Sequence, residues 1–219
     1  MSAELARRLE AMGIRDLRVL GAVARVSRAL FVPACLRAEA DGDFPLPIGL
    51  GQTISQPFVV AYMTERLQLA GGERVLEVGT GSGYQTALLA QLARSVHSVE
   101  ILPELWEGAR RLLLSELRLE NVTLRLGDGT LGWPEEAPFD RILVAAAGPE
   151  VPPPLLDQLA PGGKMILPVG PTAEGQVLRL LERARDGRLS ESDALAVRFV
   201  PLTHGRREAP GGPGGGPPP

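Results

Sequence analysis

Apolar residues in the middle of the chain occur in short runs that alternate with longer segments of helical spacing. The runs are nearly continuous in Val, Leu, Ile and Ala, which is typical of parallel strands covered by helices on both faces. Between the runs, apolar residues recur every three or four positions, as in helices that pack against a sheet. We therefore predict strands at residues 74–78, 95–100, 122–126, 141–145 and 164–169, and helices at residues 84–92, 103–117 and 154–159.

The first part of the chain has a different pattern. Leucines at helical spacing in residues 3–12 stop at Gly13, and Asp16 is placed to cap a second helix. Residues 33–55 contain several prolines and glycines, so we expect an irregular segment, with Cys35 as a small buried hydrophobe. A further helix begins near residue 57. We expect residues 1–56 to form a helical and loop addition outside the sheet.

The end of the chain adds two predicted strands and a tail. Residues 176–183 and 195–202 have the apolar content of strands, and Asp186-Gly187 between them is a hairpin turn signal. With these strands, the sheet has seven members within an α/β, Rossmann-like domain of residues 57–205. Residues 206–219 are rich in Gly and Pro and are predicted to be a disordered tail.

A glycine-rich loop follows the first strand of this domain. Glu77 ends the strand, and Gly79, Gly81 and Gly83 alternate with Thr80 and Ser82 before a helix begins. A strand that enters a helix through such a turn forms the nucleotide-binding corner of an open α/β sheet. The G-x-G-x-G spacing differs from the G-x-G-x-x-G of dinucleotide sites. An acidic residue at this strand end favours a ligand with a positive amino group, and S-adenosylmethionine is the predicted cofactor.

Two more strand ends carry candidate cofactor contacts. Glu100 lies 21 residues after Gly79, where an acidic side chain accepts hydrogen bonds from ribose hydroxyls, and Ile101 adjoins it. Gly127-Asp128-Gly129 leaves the third strand, and Asp128 is a candidate acceptor for an exocyclic adenine amine. The alternative is that Asp128 is only a turn residue, since Gly-Asp-Gly is favourable turn chemistry. Together the three strand ends predict a nucleoside cofactor site in a class I methyltransferase fold, a seven-stranded, mostly parallel sheet with helices on both faces.

The composition of the chain argues against several other classes of protein. The 219 residues have a net charge of −3, which gives no basic field for nucleic acid. No run of 18 apolar residues is present, the N-terminus lacks a signal-peptide pattern, and the single cysteine cannot form an internal disulfide. We therefore expect a cytoplasmic protein that acts without a membrane or a metal ion. No exposed apolar stripe is evident, so a monomer is expected.

The residue inventory also bears on the methyl acceptor. The chain has two histidines, His97 and His204, and neither lies at a predicted strand end that faces the cofactor. Amine, phenol and carbon acceptors usually need a positioned base, whereas a carboxylate is already ionised near neutral pH. The pattern is compatible with carboxyl methylation, although an Asp or Glu elsewhere is an alternative base.

Several segments resemble the bacterial protein-L-isoaspartate O-methyltransferase family. They are residues 45–49, 51–57, 75–84, 127–129, 139–149, 161–170 and 198–202, and the Thr-Ile-Ser-x-Pro element at residues 53–57 is the most specific. The resemblance implies methylation of the α-carboxylate of isoaspartyl residues in damaged proteins and peptides, followed by repair through a succinimide. The sequence departs from the family at residues 40–43, where relatives often carry a tyrosine near Asp41.

The resemblance also implies roles for individual residues. Ser55 corresponds to the family's active-site serine, where its hydroxyl can donate a hydrogen bond to the acceptor carboxylate. The alternative is that Ser55 caps the helix that begins near residue 57. The implied substrate-binding residues are Thr53, Ile54, Pro57, Ala146, Val200 and Leu202.

Three other functions remain open from the sequence. The first keeps the fold but uses a small-molecule carboxylate or amine as the acceptor. The second is a nicotinamide oxidoreductase, against which the glycine spacing counts. The third is a nucleoside-binding regulator without catalysis.

Overall fold

The computed structural model of the chain describes residues 2–171, 175–203 and 205. The α-helices among them are α1 (Ser2–Met12), α2 (Leu17–Arg25), α3 (Pro57–Arg66), α4 (Tyr84–Ala90), α5 (Pro103–Arg110) and α6 (Pro153–Asp157). The strands are β1 (Leu46–Gly49), β2 (Gln52–Ile54), β3 (Arg74–Val78), β4 (Ser95–Glu100), β5 (Val122–Leu126), β6 (Phe139–Val144), β7 (Leu159–Val169), β8 (Gln176–Arg183) and β9 (Leu189–Val197). None of the described helices is both long and apolar enough to cross a lipid bilayer.

Seven strands form one sheet in the order β5-β4-β3-β6-β7-β8-β9. The strands from β5 to β7 are parallel, and β8 and β9 are antiparallel additions at one edge. Chain order reverses beside β3, which pairs with β4 on one side and β6 on the other. In open α/β sheets a ligand binds at the carboxyl ends of the strands at such a point. The predicted fold class is confirmed.

The core lies on both faces of this sheet. Successive residues of a strand point to opposite faces, so Val75 joins one apolar cluster while Leu76 and Val78 join the other. The larger cluster also contains the buried leucines of α1 and α4, whereas the smaller one contains Leu155 of α6. Burial on both faces explains why β3 and β6 consist mostly of apolar residues.

The N-terminal part packs against the larger cluster and stays outside the main sheet, as predicted. Asp16 caps α2 by accepting a hydrogen bond from the amide of Arg18. The expectation of an irregular segment at 33–55 was wrong, because this segment contains a 3-10 helix (Ala34–Glu39) and the β1–β2 hairpin. Positive φ angles at residues 49, 50 and 51 close the hairpin, and Pro47 is tolerated in a two-stranded ribbon.

Three other expectations need correction. The last strand is Leu189–Val197 rather than 195–202. The tight turn at residues 186–187 brings the chain directly back beside β8, so that Leu189 already pairs with Arg183. It is an exposed edge strand, and the four polar side chains at residues 190–193 interrupt its apolar signal. Strand β7 begins at Leu159 and includes the glycine pair at 162–163. Cys35 is exposed, because its 3-10 helix has no buried residue. The predicted tail at 206–219 lies outside the described residues.

Candidate active site

A cavity of about 320 Å³ lies at the carboxyl ends of β3, β4 and β6. The glycine loop after β3 forms its floor, and the β1–β2 hairpin and the segment after β9 form other parts of its wall. Predicted site residues that line it are Thr53, Ile54, Ser55, Gly79, Thr80, Gly81, Ser82, Glu100, Ile101, Gly129, Ala146, Val200 and Leu202. Most of the predicted site is therefore brought together in one place.

The glycine loop needs glycine for its backbone conformation. Gly79, Gly81 and Gly83 have φ angles of 93°, 56° and 91°, in the left-handed region that side chains disfavour. At Gly83, an added Cβ would also lie 2.9 Å from Leu113 of the packed core. Gly83 is the N-cap of α4 and does not line the cavity, so its role is to shape the turn.

Glu77 supports the loop from beneath and does not line the cavity. Its side chain is fully buried, and its Oε2 accepts hydrogen bonds from Thr86 Oγ1 at 2.5 Å and Ser98 Oγ at 2.6 Å. Because the Ser98 proton is used in this way, the 2.6 Å contact between Thr80 and Ser98 has Thr80 as its donor. Burial raises the pKa of Glu77 to about 7. The prediction that Glu77 contacts a cofactor amino group directly needs correction, because its side chain binds Thr86 of α4 and Ser98 of β4 and does not line the cavity.

Glu100 lies at the cavity wall with most of its acceptor capacity used. Its Oε2 accepts from the amide of Gly81 at 2.8 Å, and its Oε1 accepts from the amides of Ile101 and Leu102 at 2.9 Å each. A carboxylate has about four acceptor positions, so one on Oε2 remains for a ligand hydroxyl. Glu100 thus both shapes the glycine loop and offers one acceptor.

The Gly127-Asp128-Gly129 turn contributes only Gly129 to the cavity lining. Asp128 Oδ1 accepts hydrogen bonds from the amide and hydroxyl of Thr130, and Oδ2 accepts from the amide of Gly205 at 2.8 Å. These bonds are those of the turn interpretation. The contact between Asp128 and adenine remains a prediction.

A second cavity, of about 560 Å³, adjoins the first. Pro45, Gln56, Phe58, Val59, Arg198 and part of β9 line it, and both cavities share Thr53, Ser55, Ala145, Phe199 and Val200. Ser55 therefore lies where the two spaces meet. Its hydroxyl has no hydrogen-bond partner among the described residues. Pro57, by contrast, is the buried first residue of α3 and lines neither cavity.

The N-terminus of α3 is capped by Asp43. Oδ1 of Asp43 accepts from the amide of Phe58 at 2.8 Å, and Oδ2 accepts from Gln56 Nε2 at 2.7 Å. The capping role that the sequence left open for Ser55 is thus filled from elsewhere. Nothing in the local sequence pattern indicates a cap 15 residues before its helix amide.

Arg28 is a second residue that sequence reasoning missed. Its guanidinium is fully buried and donates to the carbonyl groups of Ala40, Phe44 and Ser55 at 2.6, 3.1 and 3.0 Å. Longer contacts reach the carbonyls of residues 42 and 54. Burial lowers the pKa of Arg28. Arg28 therefore ties residues 40–44 to the segment that carries Ser55.

His97, the histidine among the described residues, does not lie at this site. His97 lines neither cavity; it lies beside Trp133 and Phe139 and pairs with Glu136, and burial lowers its pKa. His204 lies outside the described residues. In the part of the chain that the structure describes, no cluster of His, Cys, Asp or Glu is suited to a metal ion.

Other lining residues were missed because their positions depend on tertiary packing. Leu50, Gln52, Leu102, Leu105 and Phe199 come from the hairpin, from α5 and its preceding loop, and from the segment after β9. Each is a single residue without a motif of its own. A strand-end rule finds the glycine loop but finds none of these.

The strand order, the glycine loop between β3 and α4, and an acidic side chain at the end of β4 define a class I methyltransferase fold with its cofactor cavity. The model of the protein-L-isoaspartate(D-aspartate) O-methyltransferase family matches residues 1–207. The chain belongs to this family.

Similar proteins agree with this assignment. A protein-L-isoaspartate O-methyltransferase of Anaeromyxobacter dehalogenans (strain 2CP-C) is 70% identical over 204 residues, which cover 93% of this chain and 98% of the relative. That of Myxococcus xanthus (strain DK1622) is 62% identical, with 87% and 91% covered.

Two solved structures are also similar. One, a protein-L-isoaspartate O-methyltransferase, has a TM-score of 0.83 at 30% identity, covering 93% of this chain and 66% of its own. The other, from Plasmodium falciparum in complex with S-adenosyl-L-homocysteine, has a TM-score of 0.80 at 26% identity, with 92% and 98% covered.

Proposed function

We propose that the chain methylates the α-carboxylate of L-isoaspartyl residues in damaged proteins and peptides, with S-adenosylmethionine as donor and Ser55 as the residue that binds the acceptor. The observation that carries this proposal is the position of Ser55. It lies at the junction of two cavities, and its hydroxyl has no partner among the described residues. One cavity suits the cofactor, and the other suits the acceptor.

The first cavity fits S-adenosylmethionine in charge and shape. Glu100 lines it, whereas the described lining includes no Arg or Lys, which suits a cationic sulfonium better than the anionic pyrophosphate of a dinucleotide. Residues 79–82 would hold the methionine part, and the remaining acceptor position of Glu100 would take a ribose hydroxyl. When bound, this cofactor supplies an electrophilic methyl group. The nicotinamide alternative loses support from the absence of a cation in this lining.

The second cavity supports a peptide acceptor. It has a volume of about 560 Å³, and residues 195–197 of the edge strand β9 line it, so an extended chain has room beyond the reacting carboxylate. This supports a protein or peptide over a small molecule. The net charge of −3 gives no support for nucleic acid as the acceptor.

Ser55 is suited to orient a carboxylate without holding it too tightly. The acceptor is ionised near neutral pH and needs no base, so a single neutral donor is enough to fix its approach. Several charged donors would stabilise the ground state and slow the attack. Thr53 and Ile54 would border the acceptor beside Ser55.

We also propose that residues 1–56 form the acceptor side and residues 57–205 the cofactor domain. In support, residues 45, 53, 55 and 56 line the second cavity, although residues 48 and 50–55 also line the first. The chain would act as a monomer in the cytoplasm. Its single cysteine is exposed and free, which suits a reducing compartment.

The test is transfer of a radiolabelled methyl group to two matched peptides, one with isoaspartate and one with aspartate. We expect base-labile label on the isoaspartyl peptide only. Ser55→Ala should lower kcat by about 10- to 100-fold, the value of one lost hydrogen bond to a charged group, with cofactor affinity unchanged by calorimetry. Equal labelling of both peptides, or an unchanged kcat for S55A, would contradict the proposal.

A further inference from the structure

We infer that Asp43 is a positioning residue of the methyl-transfer site, because it caps α3 and so leaves the hydroxyl of Ser55 available to the acceptor. This inference rests on the proposed function. Asp43 lines neither cavity. Its carboxylate binds Gln56 and Phe58, and both of these residues line the second cavity.

The carboxylate of Asp43 and the hydroxyl of Ser55 are alternative acceptors for the amides at the N-terminus of α3. The first amides of a helix lack partners within the helix, and a nearby Ser or Asp oxygen is their usual acceptor. Ser55 lies directly before Gln56, the N-cap position of α3, and Gln56 itself makes no side-chain cap. In the structure the carboxylate of Asp43 accepts from Phe58 instead, at 2.8 Å.

The carboxylate of Asp43 is fixed in place by the residues around it. Its other oxygen accepts from the Gln56 side chain at 2.7 Å, so one carboxylate binds residues on both sides of Pro57. Arg28 donates to the carbonyl of Phe44, next to Asp43, and to the carbonyl of Ser55. The backbone of Ser55 is thus fixed by Arg28, while its hydroxyl is spared from capping by Asp43.

The consequence is specific for Asp43→Ala. Without the carboxylate, the amide of Phe58 is left without its acceptor, and the hydroxyl oxygen of Ser55 becomes a competing cap. We expect kcat on the isoaspartyl peptide to fall by about fivefold, the ratio that corresponds to the usual strength of one cap, with cofactor affinity unchanged. Asp43→Asn should retain kcat within about twofold of wild type, because Asn caps as well as Asp.

Asp16→Ala is a matched control. Asp16 caps α2 through a 2.8 Å bond from the amide of Arg18, in the same N-terminal part of the chain, but it lines neither cavity. We expect D16A and D43A to lower the thermal midpoint by similar amounts. Only D43A should lower kcat.

A double-mutant cycle tests whether Asp43 acts through Ser55. If it does, S55A/D43A should have the kcat of S55A alone, since no hydroxyl remains to be diverted. A merely structural role would make the two losses multiply.

The outcomes separate the inference from the proposed function. An inert wild type would overturn the proposed function, and the inference with it. An active wild type would overturn the inference alone if D43A matched D16A in kcat, if the losses in the double mutant multiplied, or if D43N fell to the level of S55A. If D43A does not fold, D43N still tests the inference, because a kcat near that of wild type is expected and a fall to the level of S55A would overturn it.

Discussion

Replacing Glu77 with Gln should change how the stability of the protein depends on pH. The carboxyl group of Glu77 is fully buried. Among the described residues, two hydroxyl groups bind it, both at Oε2, while Oε1 has no partner. Loss of water around this group disfavours the charged form and raises its pKa from 4.5 to about 7. Gln resembles the protonated acid in shape and stays neutral at every pH.

The size and sign of the effect follow from linkage. A pKa that is raised on folding means that the native state binds the proton more tightly than the unfolded chain does. The resulting contribution to the free energy of unfolding is therefore fully present at pH values below the pKa of the unfolded chain. It is lost as pH rises from 4.5 to about 7. The shift corresponds to about 3 kcal/mol in total, of which about 2–3 kcal/mol falls between pH 5 and pH 8. The free energy of unfolding of wild type should fall by that amount relative to E77Q over this interval.

Urea denaturation followed by circular dichroism at pH 5, 6, 7 and 8 measures this difference. Subtracting wild type from E77Q at each pH removes the contribution of every other titrating group, His97 included. Glu150→Gln, which removes an exposed carboxyl group, is the control substitution. If the E77Q difference did not change with pH, Glu77 would be as ionised in the folded protein as in the unfolded chain, and the burial argument would be refuted.

Two further substitutions test packing around the site by urea and thermal denaturation. Arg28→Met should cost about 3–5 kcal/mol of unfolding free energy, because several buried carbonyls lose their donor; a cost below 1 kcal/mol, roughly the value of one surface pair, would contradict this. Gly129→Ala should destabilise by about 1–3 kcal/mol, because its Cβ would lie 2.3 Å from Val78 Cγ1 in the core. Gly127→Ala is the control, since its nearest atom would be Arg125 Nε at 3.8 Å, and equal losses for the two would exclude the steric explanation.

The parallel sheet could be predicted because its signal is local. Strands β3 and β6 are largely buried on both faces, so each is a mostly apolar run that can be recognised without knowledge of its neighbours. The exposed edge strand β9 lacks this signal, and its position follows from the hairpin turn before it. The apolar residues at 198–202, predicted as part of that strand, instead cross the carboxyl ends of the sheet, where Val200 accepts from the amide of Ala147.

The residues that line the cofactor cavity were also more predictable than the buried residues that hold them in place. Glycines at fixed spacing and an acid at a strand end are read directly from the sequence, and Gly79, Gly81 and Glu100 all line the cavity. Glu77 shows the limit of this rule, because an acid at a strand end was assigned to a ligand when its side chain binds Thr86 and Ser98. Sequence spacing gives the position of a residue on a strand, but not which hydroxyl groups the neighbouring strand and helix bring to it.

The placement of charge around Ser55 explains why a buried arginine beside an acceptor site need not hinder carboxylate attack. Arg28 is within hydrogen-bonding distance of the Ser55 backbone, yet its donors are directed to carbonyl oxygens of residues 40, 44 and 55. The described lining of the cofactor cavity contains no cation. An acceptor carboxylate at the junction would therefore meet a neutral hydroxyl and keep its nucleophilicity, because little of its charge is neutralised before the methyl group is reached. Arg28 stabilises the wall beside Ser55, whereas Arg198 lines the second cavity but not the first. In the proposed mechanism the carboxylate meets the Ser55 hydroxyl where the two cavities join.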